Sequence, residues 1–112
     1  MEYLDTQEQF EILIGRAPSE IPLPAWSIVY FTATWCGPCR SINIDKLLQN
    51  TSSTIKWWKC DVDRNDYTPG FCGVKGIPTF MMIHEKKILG TLQSSSTEKI
   101  IEWVQSVLPS TK

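Results

Sequence analysis

The sequence predicts an α/β domain, a mixed central sheet of about five strands with about four helices on its two faces. Three observations lead there. Apolar, β-prone runs alternate with helical patterns in the order β-α-β-α-β-α-β-β-α, and the two early β-α-β crossovers require parallel neighbours joined right-handedly. The last two strands are separated only by a tight polar turn, which makes them an antiparallel hairpin. Residues 27–32 form a near-continuous apolar run, the pattern of a central strand covered on both faces. With 112 residues the chain reads as one domain, 1–112, large enough to bury a core without staples.

Taken in order, Tyr3 and Leu4 read as a short strand. Asp5 or Thr6 caps the first helix, and Gln9 follows Thr6 by three as in a capping box. Phe10, Leu13 and Ile14 form that helix's apolar face, and Gly15 stops it. Pro18, Pro22 and Pro24 make residues 17–25 a loop. The strand 27–32 ends before Cys36-Gly37-Pro38-Cys39, and a second helix is expected over 38–49, with Ile42, Ile44, Leu47 and Leu48 on its apolar side. Residues 55–60 set Ile55, Trp57 and Lys59 against Lys56, Trp58 and Cys60, so the two tryptophans face opposite sides of a strand. Residues 67–72 form a short, weak helix that tolerates Pro69 only near its first turn and is weakened by Gly70. Strands 79–84 and 87–92 make the hairpin. The last helix opens on a second capping box, Ser95 with Glu98, buries Ile100, Ile101, Val104, Val107 and Leu108, and is followed by Pro109.

Composition narrows the function. The net charge is −1, with no basic run to suggest nucleic acid as a partner. Glu2 and Asp5 stand where a signal peptide carries lysines, and no apolar run approaches membrane-spanning length, so the expectation is a soluble, cytoplasmic protein with no membrane partner. The four cysteines comprise one tight pair, Cys36 and Cys39, with Cys60 and Cys72 standing singly. In a reducing compartment such a pair is catalytic or metal-binding more often than structural. A zinc site over C-x2-C-x20-C-x11-C would lack the second tight pair of a zinc ribbon. Cys60 is expected as a buried strand thiol and Cys72 as a partly exposed thiol, the better regulatory candidate of the two. His84 is expected to be solvated, and Trp103 to be part-buried packing.

Trp35-Cys36-Gly37-Pro38-Cys39 is the active-site motif of the thioredoxins, and Gly76-Ile77-Pro78-Thr79 resembles the loop that carries a cis-proline against the dithiol in that family. Residues 31–34 and 59–63 match in order and spacing. A bare C-x-x-C is shared with zinc sites. C-G-P-C after a strand, with Ile-Pro-Thr about forty residues on, is far more specific. The chain is similar to the thioredoxins from about Tyr3 to Leu108. The resemblance implies a thioredoxin fold and a protein-disulfide reductase with a redox-active Cys36–Cys39 disulfide. It further implies no bound cofactor and no metal, electrons from NADPH through a thioredoxin reductase, disulfide-containing target proteins, and a monomer. Trp35 is expected beside the thiols as apolar shield and docking surface. Gly76, Ile77 and Pro78 are expected to leave the Ile77 backbone open to an extended target segment.

Cys36 is the expected nucleophile, as the first thiol at a helix start and the more exposed of the two, and Cys39 the resolving thiol one turn inward. Unpaired N–H groups and the dipole at a helix N-terminus favour an anion there. Thioredoxins as a class hold this thiol near about 7, a general value that lies roughly 2 kcal/mol from a free thiol. A helix N-terminus supplies up to about 2 kcal/mol when partly buried, and a hydrogen bond from the Cys39 thiol supplies the remainder. Gly37 keeps the turn open, and Pro38 presets φ at its start.

The chain also departs from the family. Tyr30 stands where most thioredoxins bury an aspartate, and Lys59 thereby loses that partner. Ile44 replaces a helix-kinking proline, so the second helix is expected to be straighter. Lys86 and Ser94 stand where glycines are usual. Two other readings stay open at this point: a disulfide oxidase or isomerase, and an interaction module whose dithiol is not essential.

Overall fold

The computed structural model describes residues 1–108, so Pro109 lies outside the described residues. The elements are β1 (Glu2–Tyr3), α1 (Gln7–Leu13), β2 (Trp26–Thr32), a 3-10 turn (Pro38–Ser41), α2 (Ile44–Gln49), β3 (Ile55–Asp61), α3 (Tyr67–Cys72), β4 (Thr79–His84), β5 (Lys87–Gln93) and α4 (Thr97–Val107). The sheet order is β1-β3-β2-β4-β5. β3 runs parallel to both β1 and β2, while β4 is antiparallel to β2 and to β5. This is the mixed sheet that the two crossovers and the late hairpin require.

Side chains alternate across a strand, and β2 is apolar at nearly every position because both of its faces are covered. Ile28 and Tyr30 point into one core with Leu47 of α2, Phe80 and Met82 of β4, and Ile100 and Val104 of α4. Val29 and Phe31 point into the other with Leu4, Phe10, Leu13, Cys60, Met81 and Ile83. Trp57 joins the first core and Trp58 borders the second, as the alternation predicts. The Thr6–Gln9 capping box forms, and Gly15 takes a left-handed φ of +77° just past α1. Glu85 and Lys86, at φ +48° and +71°, make the hairpin turn without glycine. The Lys86 stem lies against Gly15, where a Cβ would fall 2.8 Å from Lys86 Cδ.

Several expectations need correction. Leu4 is not a strand residue but a fully buried core residue just after β1. The cap of α4 is Ser96, whose hydroxyl accepts from Lys99 N–H at 3.3 Å, so the capping box expected of Ser95 with Glu98 does not form and a single cap one residue later takes its place. His84 is only part-exposed rather than freely solvated. Its ring stacks on Trp26 at 3.8 Å between centroids, and Nδ1 lies 2.8 Å from the Ala25 carbonyl oxygen.

The largest correction concerns the second helix. It is not continuous over 38–49, and the absence of proline at Ile44 does not straighten it. The chain makes one 3-10 turn, passes through extended backbone at Ile42, and restarts at Ile44. Asn43 explains the break. Its side-chain oxygen accepts from Lys46 N–H at 3.0 Å, and its own N–H donates to Thr97 Oγ1 at 2.9 Å. Asparagine is among the best helix caps and a poor interior residue, so it starts a new helix here. Ile42 is meanwhile buried in the core beside the dithiol.

Candidate active site

β2 carries the chain to Thr32, and the following turn brings Trp35, Cys36, Gly37, Pro38 and Cys39 to the C-terminal edge of the sheet. Cys36 N–H donates to the Ala33 carbonyl at 3.2 Å, closing the turn in which the first cysteine sits. Pro38 opens the 3-10 turn, where its fixed φ suits the backbone and its missing N–H costs nothing. Cys36 and Cys39 are joined as a disulfide with Cα atoms 5.4 Å apart, inside the usual range for a bridge. Bonded to each other in this way, the two sulfurs are not metal ligands. Among the described residues no three histidine, cysteine or acidic side chains converge as metal ligands.

The expected difference in exposure between the two cysteines is absent. Cys36 is 3 % exposed and Cys39 is 7 % exposed, both packed into the core with Ala33 and Ile42. The long helix whose dipole was to stabilise a Cys36 thiolate is reduced to one 3-10 turn, so that contribution shrinks with it. A different asymmetry takes its place. The Cys39 N–H donates to Cys36 Sγ at 3.2 Å. A backbone donor aimed at the first sulfur favours its charged form.

Trp35 is 63 % exposed, yet it is held: its indole N–H donates to Asp63 Oδ2 at 2.8 Å. Asp63 is in turn fixed by its own N–H, which donates to Asp61 Oδ1 at 2.9 Å. Arg40 reaches back over the turn and donates to the Thr34 carbonyl at 2.9 Å. Trp35 forms one wall of a cleft of about 410 Å³ whose other sides are Val62, Pro69, Val74, Lys75, Gly76 and Ile77. The Ile77–Pro78 peptide is cis. The structure thus gathers Trp35, the dithiol turn, Gly76, Ile77 and Pro78 at one edge of the sheet. Sequence reading did not assign Asp63 a role. The Asp61-x-Asp63 pair after a strand was the available signal, since a short carboxylate there orders the next turn.

Tyr30 and Lys59 are opposite each other on β2 and β3, but they do not act on one another as an ion pair. Tyr30 lies in the core that also holds Cys36 and Cys39, with its ring stacked on Phe80. Burial pushes its phenol above the usual value, partly offset by a hydrogen bond with Thr32. Lys59 Nζ sits 5.6 Å from the centre of the Tyr3 ring.

Cys60 is fully buried and Cys72 is half-buried, both as free thiols. Burial, with the charge of Asp61 next in weight, pushes the Cys60 thiol up to about 12, and burial pushes Cys72 up to about 11. Raised values mean less thiolate at neutral pH than free cysteine carries, and the thiolate is the reactive form. Brief iodoacetamide treatment of the reduced protein at pH 7 is therefore expected to leave Cys60 and Cys72 unmodified in a peptide map. Labelling of Cys72 at the rate of free cysteine would contradict this.

The thioredoxin family model matches residues 6–106. Thioredoxin M2, chloroplastic, of Arabidopsis thaliana is 39% identical over 84 residues, covering 66% of this chain and 45% of that protein. A thioredoxin of Listeria monocytogenes is 38% identical over 64 residues, covering 55% of this chain and 62% of that protein. The matches thus span about half the length of these curated relatives. The X-ray structure of Fasciola hepatica thioredoxin superposes with a TM-score of 0.79 at 28% identity, over 95% of this chain and 98% of that one. A motif at the end of β2, a sheet of matching shape and a family match over nearly the whole chain agree, and the chain belongs to the thioredoxin family.

Proposed function

We propose that this chain is a protein thiol-disulfide oxidoreductase that reduces disulfides of target proteins through Cys36 and Cys39. The observation that carries the reading is the Cys36–Cys39 bridge next to the tethered Trp35, in a core against which Ile77 also packs. In the reduced protein the Cys36 thiolate attacks one sulfur of a target disulfide. A new S–S bond forms, and the other target sulfur leaves as a thiolate. Cys39, deprotonated, then attacks Cys36 Sγ. The Cys36–Cys39 bond forms, the mixed disulfide breaks, and the target leaves with two thiols. Two electrons pass from the dithiol to the target, and each departing sulfur takes up a proton. The hydrogen bond from Cys39 N–H selects Cys36 as the first attacker.

Recycling requires an external two-electron donor. Family membership supports a reductase drawing on NADPH in that role, acting on a cytoplasmic monomer. The Gly37-Pro38 pair supports the reducing direction over oxidation or isomerisation. Titrating the dithiol against glutathione or dithiothreitol buffers tests that direction. A midpoint near about −270 mV is expected, whereas one between about −180 and −120 mV would make the protein an oxidant or isomerase.

Tyr30 bears on the second step. A neutral phenol with a raised pKa cannot serve as base for Cys39 at neutral pH, so we infer that water accepts that proton. Tyr30→Asp would place a carboxylate in the same core, with Lys59 on the adjoining strand as counter-ion. Insulin-disulfide reduction at neutral pH is then expected to rise at least about tenfold, with a changed pH profile. An unchanged profile would remove proton transfer as the limiting feature.

A further inference from the structure

The dithiol has two flanks, and only one belongs to the apolar cleft under Trp35. The other is the end of β5. Gln93 is the last residue of that strand and pairs in register with Thr79, one residue after Pro78. Its side chain lies directly on Gly76: a Cβ there would fall 2.5 Å from Gln93 Nε2, 3.1 Å from Cδ and 3.3 Å from Oε1. The Gln93 carboxamide is thus seated over Gly76, in the space a side chain at that position would enter, at the start of the Ile77–Pro78 loop. Gln93 is nevertheless exposed. Among the described residues, neither the N–H nor the C=O of Ile77 has a partner in the backbone network of turns and loops. The chain beyond Gln93 continues polar, with Ser94 Oγ accepting from Ser96 N–H at 3.1 Å and the Ser95 carbonyl accepting from Ser41 Oγ at 3.4 Å. That second contact ties this segment to the 3-10 turn of the dithiol.

We infer that Gln93 is a specificity-determining residue, which selects target segments carrying a polar, amide-like side chain beside the attacked cysteine. The inference rests on the oxidoreductase reading above. A target segment lying along Ile77 has the apolar cleft on one side and the Gln93 carboxamide on the other. An apolar side chain on the first side is buried against Trp35, Val62 and Val74. A side chain on the second side meets an amide that offers two N–H donors and a carbonyl acceptor. An asparagine or glutamine there satisfies both kinds of group at once. A leucine there takes water from the carboxamide and gives no partner in return, which is the costly half of a hydrogen-bond exchange. The face is thus two-sided, apolar toward Trp35 and amide-reading toward Gln93.

The test uses short peptides whose single cysteine is joined to 2-nitro-5-thiobenzoate, with glutamine or leucine at each flanking position in turn. Cys36 attacks the peptide sulfur, and the coloured aromatic thiolate leaves, being the better leaving group. At one of the two positions the glutamine peptide is expected to react about two- to tenfold faster than the leucine peptide, the worth of one net hydrogen bond. Gln93→Leu is expected to abolish or reverse that preference. Reduction of the free disulfide of 2-nitro-5-thiobenzoate, which has no flanking residues, is measured for both proteins, reports whether the dithiol is intact, and normalises the peptide rates. An unchanged glutamine-to-leucine ratio in Gln93→Leu would overturn the assignment. Failure of the native chain to reduce even the free aromatic disulfide would instead overturn the oxidoreductase reading itself.

Discussion

Cys36→Ser is expected to abolish disulfide reduction, lowering turnover of insulin by at least about a thousandfold, while Cys39→Ser stops the reaction half-way. The two substitutions differ because the two sulfurs have different surroundings, although their burial is alike. The Cys39 N–H points at Cys36 Sγ, and the structure shows no matching donor on Cys39 Sγ among the described residues. With Cys39 replaced, the Cys36 thiolate still attacks the target, but nothing within the chain displaces it. A mixed disulfide should then accumulate, visible in a mass spectrum as the summed mass of the two partners and removed by dithiothreitol. With Cys36 replaced, no such adduct should form. If instead the Cys36→Ser protein accumulates the adduct and the Cys39→Ser protein does not, the order of attack is reversed and the backbone donor is not what selects the nucleophile.

Phe80→Ala is expected to be the most destabilising single truncation of a core side chain near the site. Phe80 is fully buried as the second residue of β4. Its ring stacks on Tyr30 with centroids 4.7 Å apart and meets Trp57 edge-on at 6.4 Å. Truncating a buried phenylalanine costs about 3–5 kcal/mol, because transferred area and packing contacts are lost together. A domain of this size has about 5–15 kcal/mol in total. A urea melt should therefore lose about a fifth or more of the unfolding free energy, and the midpoint of thermal unfolding should fall by roughly 15 °C. A loss below about 1 kcal/mol would mean that Tyr30 and Trp57 collapse into the space, and that the aromatic layer is less rigid than drawn here. The same core holds Cys39 and Ile42, so the dithiol turn would also lose part of its support.

The outline of the fold was legible because it rests on local signals. Alternation marks β3, a near-continuous apolar run marks β2, the Thr6–Gln9 box marks α1, and the short turn at Glu85 and Lys86 dictates an antiparallel hairpin. The dithiol pair was legible for the same reason: two thiols three positions apart, after an apolar strand, need no distant residue to be recognised. The second helix was misread because its apolar positions keep helical spacing straight through the break. Asn43 caps the restarted helix through a local bond to Lys46, but its own N–H is received by Thr97 on α4, a partner 54 positions away in the chain. His84 was misread likewise, since its stack on Trp26 exists only once β2 and β4 pair.

From its sequence alone this protein is committed to a mixed five-stranded sheet and to a dithiol at the end of its central strand, because hydrophobic period, turn chemistry and cysteine spacing act between near neighbours. Tertiary structure alone decided that both sulfurs are buried, that Asp63 holds Trp35, and that the Gln93 carboxamide rests on Gly76. Those features are contacts between segments far apart in the chain, and their geometry comes into being only when the sheet closes and its loops are brought to one edge.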